Sequence, residues 1–405
     1  METVGILLPM STSNVGKRIA AWRDSRGMTG AELGERLGIS KSEISKIENG
    51  SRKLDIGYIA MIAEIFSISL EELLGIERRG NLAMAARVLT YPSEEDTQAS
   101  RQRIHQVLEV GASLSSSVGL RAASPSASGL AVFERIKSEG IAEIADPRSA
   151  GEALSRVVRE ELGLGRAPIA DIAELAELHF GIDVICWPTG TGVSGLLVKG
   201  EDVALMLASS SFSRGHQRFT AAHEICHYLF SDPEDIIFEH DLFNKNSPLE
   251  LRANAFAECL LLPVDGVAEV IGGRGVDAGV IVELMRHFGV SYQGLIWRLR
   301  SIRVLSVPAA NTWFNKSAGT VLFHAGDQSP EELTQATNER RLPPRLWRAA
   351  EKGYQSGRVG LGLLSILTNE NAEDLFNRLE ERGVTPPSRE DNYEEIEGLI
   401  QSSLA

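Results

Sequence analysis

The sequence predicts a multidomain chain in which a small all-helical domain is followed by an α+β body with a helical C-terminal part. Three observations carry this reading. The first 75 residues hold short apolar stripes at helical spacing, punctuated by capping residues and closing glycines. Residues 182–208 hold three short strand-like runs separated by glycine-containing turns. On both sides of those runs the apolar residues return to a helical period. With 405 residues the chain has room for two or three domains of about 100–200 residues each.

The helical domain spans 14–75. Its first helix covers 15–26, with Val15, Ile19 and Trp22 on one stripe. Thr29 and Glu32 stand at capping-box spacing and open the second, which Gly38 closes. Ser40 and Glu43 repeat the signal, so a third helix runs over 41–49 until Gly50 ends it. Two more short helices turn Ile59, Ile62, Ala63 and Phe66, then Leu70, Leu73 and Leu74, inward. Residues 76–150 read as a linker region, helical in patches such as 101–110 and flexible over the Ser-, Gly- and Ala-rich run 113–129, whose small side chains bury little surface.

The α+β body is expected over 151–305. A helix at 169–180 leads into strands at 182–187, 195–199 and 203–208, followed by helices at 218–230 and 248–262. The strand at 203–208 fits two places equally well: an edge, where an extended peptide could add to it, or the sheet interior. Beyond 305 a strand pair or loop and two helices, 343–356 and 359–382, form an extension to 385. An acidic tail with Glu390, Asp391, Glu394, Glu395 and Glu397 closes the chain at 386–405.

Composition excludes several classes. Lys and Arg total 41 against 55 Asp and Glu, a net charge of −14, so nucleic-acid contact must be local. It is local where expected: residues 14–63 carry nine basic and six acidic side chains, an excess of +3. Three cysteines are too few for a disulfide scaffold and fit a reducing compartment. No apolar run approaches the about 18 residues of a membrane span, and the N-terminus lacks a basic leader. A cytoplasmic chain without a membrane partner is expected.

The most informative residues are His223-Glu224-Ile225-Cys226-His227, an HExxH motif. Positions i and i+4 lie one turn apart on one helix face, so both imidazoles can reach one Zn²⁺ while Glu224 stands beside its water. Phe219, Ala222, Ile225, Cys226, Leu229 and Phe230 form the apolar arc of this helix, which is therefore buried; Cys226, like Cys186 and Cys259, reads as core. A third ligand is expected from the helix that Ser247 caps, Pro248 begins and Pro263 stops. On it Glu250 shares a face with Ala253, Asn254, Ala257 and Leu261, and small alanines allow close packing on the histidine helix. Glu258 lies roughly 80° further round the wheel and is less well aligned. Ser247 and Glu250 also have capping-box spacing, so Glu250 could instead only cap its helix.

The segments RFTAAHEICHYLF at 218–230 and ELRANAFAECLLLP at 250–263 resemble the ImmA/IrrE family of bacterial and phage metallopeptidases, whose pattern is RFTxAHExxH followed by ExxANxFAxxLLxP. The likeness extends to VSYQGLIWRLRSI at 290–302 and, more loosely, to residues 342–367. It implies a zincin-like α+β metallopeptidase domain, with His223, His227 and Glu250 as zinc ligands, Glu224 as general base and Asn254 as a candidate supporting residue. The chain departs from the family in LMLASSSFSRGHQ, where an asparagine usually ends the strand, so the likeness says nothing of that loop. His216, Tyr228, His240 and Tyr292 are the candidates for an oxyanion donor, and nothing in the sequence selects among them.

The segment MTGAELGERLGISKSEISKIENGSRKL at 28–54 resembles the XRE/Cro-repressor type of helix-turn-helix. In that arrangement the second helix after the turn enters the major groove, which makes Lys41, Ser42, Ser45 and Lys46 the residues expected at base edges, with Arg52 and Lys53 on phosphates. Gly30 stands where the family usually has glutamine. That glycine and so modest a charge leave three expectations open: weak operator binding, binding that depends on a homodimer, or a helical protein-interaction domain that no longer binds DNA. Together the two likenesses imply a regulator that binds double-stranded operator DNA and cleaves or antagonises a transcriptional repressor in a stress or mobile-element response. The alternative is a non-proteolytic regulator whose peptidase-like domain senses a ligand or binds a partner protein.

Overall fold

The computed structural model describes residues 12–25, 28–37, 39–51, 61–62, 65–66, 83–88, 94–190, 193–200, 203–232 and 247–387. Arg52, Lys53, His240, most of the fourth and fifth helices expected before residue 75, and the acidic tail from 388 lie outside them. The chain divides into two compact units, Met1–Asn81 and Leu82–Ala405, each with its own core.

In the first unit, α1 (Thr12–Ser25), α2 (Gly30–Leu37) and α3 (Lys41–Glu48) follow the punctuation in the sequence. The Thr29 amide donates to the Glu32 carboxylate at 2.7 Å, and the Glu32 amide returns a bond to Thr29 Oγ1 at 3.3 Å. Ser40 and Glu43 form the same reciprocal box. These bonds satisfy amides that a helix start leaves without partners. Val15, Ile19, Leu33, Leu37, Ile44, Ile47, Ile62 and Phe66 make the core. α1 crosses the end of α3 so closely that a Cβ at Gly16 would stand 2.3 Å from the Ile47 carbonyl oxygen.

The second unit is built on a four-stranded sheet. β1 (Ala83–Val88), β2 (Asp183–Trp187), β3 (Val193–Lys199) and β4 (Ala204–Ser209) lie in the order β1-β3-β4-β2. The β1–β3 and β3–β4 pairs are antiparallel, and β4 and β2 are parallel. Around the sheet run α4 (Glu94–Val118), α5 (Ala127–Ser138), α6 (Pro147–Glu161), α7 (Ile172–Leu175, passing into a π turn at Ala176–Phe180), α8 (Arg214–Phe230), α9 (Pro248–Leu261), α10 (Val264–Ile271), α11 (Ala278–Phe288) and α12 (Tyr292–Ser301). Then come the short α13 (Val307–Phe314), α14 (Ala318–His324) and α15 (Pro330–Thr334), and finally α16 (Pro344–Gln355), α17 (Leu361–Thr368) and α18 (Ala372–Glu381).

Strand alternation separates two cores. Val184, Leu197 and Met206 point to the face covered by α8, where they join Ala222, Ile225, Phe256 and Leu260. Ile185, Trp187, Leu196, Val198, Leu205 and Leu207 point the other way, onto Ile104, Val107, Val110 and Leu114 of α4 and onto α16–α18. Both faces being covered explains why β2, β3 and β4 read as nearly continuous apolar runs.

Three expectations need correction, and the open choice between edge and interior for β4 is resolved. Much of the linker of 76–150 is structural: α4 continues through the serine-rich run to Val118, because Leu114 completes its buried stripe, and Ser126 caps α5. Residues 94–150, 151–305 and 306–385 belong to one unit, since α4 and α16–α18 cover the sheet of the α+β body. The region after 305 holds the short helices α13–α15 rather than a strand pair, and the expected helix at 359–382 breaks at Asn369, whose φ of 54° is left-handed. Finally, β4 is interior, hydrogen-bonded on both sides, so it is closed to an added peptide.

Candidate metal centre

α8 carries the HExxH residues on its buried face. Ala221, Ala222, Ile225 and Cys226 are all within 2% of full burial, and His223, Glu224 and His227 are buried among them. The close approach of α9 brings in the third group. Ala253 and Ala257 are fully buried between the helices, and their small side chains leave room for Glu250 to reach across. Ser247 Oγ accepts the Glu250 amide at 3.2 Å, so that backbone end is satisfied while the carboxylate points to the histidines.

The three groups form a triangle. His223 Nε2 and His227 Nε2 are 2.9 Å apart, and the Glu250 oxygens lie 3.3 Å from each. Ligands bound tetrahedrally to zinc at about 2.0–2.1 Å stand about 3.3 Å apart, so the triangle has the size of one face of such a shell. All three donor atoms fall within 4.8 Å of one another, and no other group of three His, Cys, Asp or Glu of this kind occurs among the described residues. Glu258 lies elsewhere, its carboxyl raised by burial and only partly relieved by Arg148 and Arg298. The three cysteines are free thiols away from the triangle, each pushed up by burial.

A further ring of bonds aims the imidazoles. His223 Nδ1 is 3.1 Å from Asn254 Oδ1, and His227 Nδ1 is 2.7 Å from Asp232 Oδ2. Those bonds take up the Nδ1 positions and turn both Nε2 atoms inward, as ligand histidines require. Asp232 is anchored in turn by Arg252 of α9, whose guanidinium lies over the Phe230 ring at 3.7 Å. No motif singles out Asp232; its signal in the sequence is only an acidic residue five positions past the second histidine, just beyond the end of α8.

The charges are strongly coupled. Burial alone would keep the His227 imidazole neutral, but hydrogen bonds to Asp232 and Glu250 and the charge of Glu224 reverse this and push its pKa up to about 10 with no cation bound. Burial works against the Glu250 carboxylate as well, and the two histidines overcome it, holding that carboxyl well below its usual range. Such a cluster is charged, mutually satisfied and suited to a divalent cation in place of the shared protons.

Glu224 faces the sheet. A Cβ on Gly195 of β3 would stand 2.9 Å from Glu224 Oε1 and 2.4 Å from Thr220 Cγ2, so only glycine admits this carboxylate against the strand. Of the oxyanion candidates, Tyr228 donates to the Phe180 carbonyl and Tyr292 to the Trp313 carbonyl, and neither hydroxyl reaches the triangle. His216 stacks on Phe212 at 4.4 Å. The serines of the departing loop tie strand ends together: Ser209 Oγ donates to the Gly190 carbonyl, and Ser211 Oγ accepts the Gly190 amide, both at 3.0 Å.

In the first unit, Lys41, Ser42, Ser45 and Lys46 are all exposed on α3, opposite the buried Ile44 and Ile47. Arg23 holds Glu48 at 2.6 Å and fixes the far end of that helix.

Residues 179–300 match the family described as the IrrE N-terminal-like domain, and residues 19–73 match the helix-turn-helix family. The chain therefore joins an XRE-type helix-turn-helix to an IrrE/ImmA-like, M78 peptidase-type domain. No curated protein matches it. Among solved structures, PlcR of Bacillus thuringiensis in complex with the peptide PapR7 and DNA aligns at 9% identity over 92% of this chain and 97% of its own, with a TM-score of 0.17. ComR of Streptococcus suis aligns at 10% identity over 93% and 89%, with a TM-score of 0.16. No helix among the described residues is long and apolar enough to cross a membrane.

Proposed function

We propose that this chain is a DNA-binding transcriptional regulator with a zinc-dependent endopeptidase domain, and that its substrate is a protein of the repressor class presented in extended form. The observation that carries the reading is the His223, His227 and Glu250 triangle with Glu224 beside it. When bound, zinc supplies a Lewis acid to the scissile carbonyl and brings the ionisation of water toward about pH 7.

The chain's own residues do the rest. His223 and His227, both buried, would hold the cation together with Glu250, which is 31% exposed. Asn254 and Asp232 keep both imidazoles in the tautomer that leaves Nε2 free for the cation. Glu224 accepts the proton of the attacking water and delivers it to the leaving amine, working from a buried position that strengthens its electrostatic effect.

The exposed residues of α3 support operator binding, in which Lys41, Ser42, Ser45 and Lys46 meet base edges and Arg52 and Lys53 add phosphate contacts. The small local charge favours a homodimer on the DNA.

Two measurements test the reading. Purified protein should hold one zinc per chain and cleave candidate repressors, and Glu224→Gln should abolish cleavage while keeping the zinc. Absence of zinc would sink the assignment; zinc without Glu224-dependent cleavage would favour the sensing alternative. For the DNA arm, Lys41→Ala with Lys46→Ala should weaken operator binding and relax its sequence preference. Unchanged binding and preference would remove α3 from the interface.

A further inference from the structure

β3 is the strand that touches the proposed catalytic base, through Gly195, and one of its two long sides is bonded to β4. Its other side is the natural place for an extended peptide to add beside Glu224, because a sheet edge offers backbone donors and acceptors whatever the peptide's sequence. That side is already filled. β1 pairs antiparallel with β3 from Ala83 opposite Lys199 to Arg87 opposite Gly195.

We propose that residues 83–88 occupy this chain's own substrate edge, so that the peptidase is self-blocked and admits a peptide only when β1 leaves β3. The inference rests on the peptidase reading above. Four observations support it. First, the pairing is continuous along 195–199, which leaves no backbone position on that side of β3 for a second strand. Second, the register breaks between Arg87 and Val88, opposite the stretch of β3 where Gly195 meets Glu224. Third, the opposite edge of the sheet is closed to a peptide: Cys186 and Arg341 exchange backbone bonds at 3.1 and 2.9 Å. Fourth, β1 reads Ala-Met-Ala-Ala-Arg-Val, half of it alanine, which is depleted in strands, and it pairs with the strand-favouring Val193–Lys199. A strand of weak propensity at the start of its unit can leave while β2, β3 and β4 stay paired.

The test uses the full chain and the oxidised insulin B chain as an unfolded probe peptide. Binding is read by fluorescence anisotropy in a Glu224→Gln background, so that cleavage does not enter. In Ala85→Pro/Ala86→Pro, one of two successive amides that β1 could donate to β3 is lost whichever way the ladder alternates. This variant should bind the probe roughly tenfold or more tightly than its parent, since a minor open population weakens apparent affinity by its own fraction. Hydrogen exchange at 193–199 should rise in the same variant. A second variant, Ala83→Cys/Lys199→Cys, places thiols at facing positions. Its oxidised form should bind the probe less than its reduced form, and this arm decides the matter if the proline variant does not fold.

Equal probe binding by the parent, the proline variant and both redox forms would overturn the proposal, as would cleavage by the Glu224-containing parent at the rate of its proline variant. Tighter binding without any Glu224-dependent cleavage would instead remove the peptidase reading and leave the occupied edge standing.

Discussion

Replacing Asp232 by Asn tests whether the outer ring of bonds sets metal affinity. Asp232 is only 9% exposed and bonds two partners at once, His227 Nδ1 at 2.7 Å and the Arg252 guanidinium. Asparagine keeps the volume and removes the charge that both partners face. Loss of such a supporting carboxylate typically weakens a metal site by about 10- to 100-fold, or about 1.4–2.8 kcal/mol. Asn254→Ala removes a neutral bond of 3.1 Å from the other histidine and should cost less, because charge-assisted bonds are roughly twice as strong. Zinc affinity measured by competition with a chromogenic chelator gives both numbers. If Asp232→Asn binds zinc as tightly as wild type, or Asn254→Ala costs more, the argument that charge on Asp232 orients His227 is wrong.

Gly195→Ala should leave zinc stoichiometry intact and lower turnover by about 100-fold, the effect of displacing a reacting group by about 1 Å, because the new Cβ would press on Thr220 and Glu224; turnover at the wild-type rate would show that β3 does not position Glu224. The metal triangle also predicts a pH effect in chelator-treated protein. His227 has its pKa raised from 6.5 to about 10, so its contribution is complete below about 6.5 and is lost as pH rises toward 10. Glu250 is held below 4.5, so its contribution is present above 4.5 and lost as pH falls. Thermal unfolding with EDTA should therefore be highest between these values and decline above pH 6.5, whereas zinc-loaded protein should show no such decline; identical profiles would refute the coupling. Ile104→Ala, at a fully buried position of α4, should destabilise the second unit by about 2–5 kcal/mol in urea titration. A change below about 0.5 kcal/mol would mean that α4 is the loose linker its serines suggested.

Local chemistry was legible in the sequence. The paired boxes of Thr29 with Glu32 and Ser40 with Glu43 form as their spacing requires, because a cap involves residues three apart and no others. The HExxH spacing places both histidines on one buried face for the same reason. The choice of Glu250 over Glu258 followed from the wheel and from the small alanines that let α9 approach, and the structure puts Glu250 alone of the two against the histidines.

What the tertiary structure decided was non-local. Alternation tells which face of a strand is apolar but says nothing of its neighbours, so β4 could not be placed inside or at the edge from its own residues. Nor could alanine-rich residues 83–88 be recognised as a strand, since their pairing comes from β3, more than 100 residues away. The end of α4 looked loose because its serine-rich run offers little apolar surface, with Ser115 and Ser116 exposed, while the seating of Ile104, Val107, Val110 and Leu114 is explained by the sheet beneath them. Sequence determined which residues could do chemistry; the order of four strands determined which of them meet, and what stands at the edge beside them.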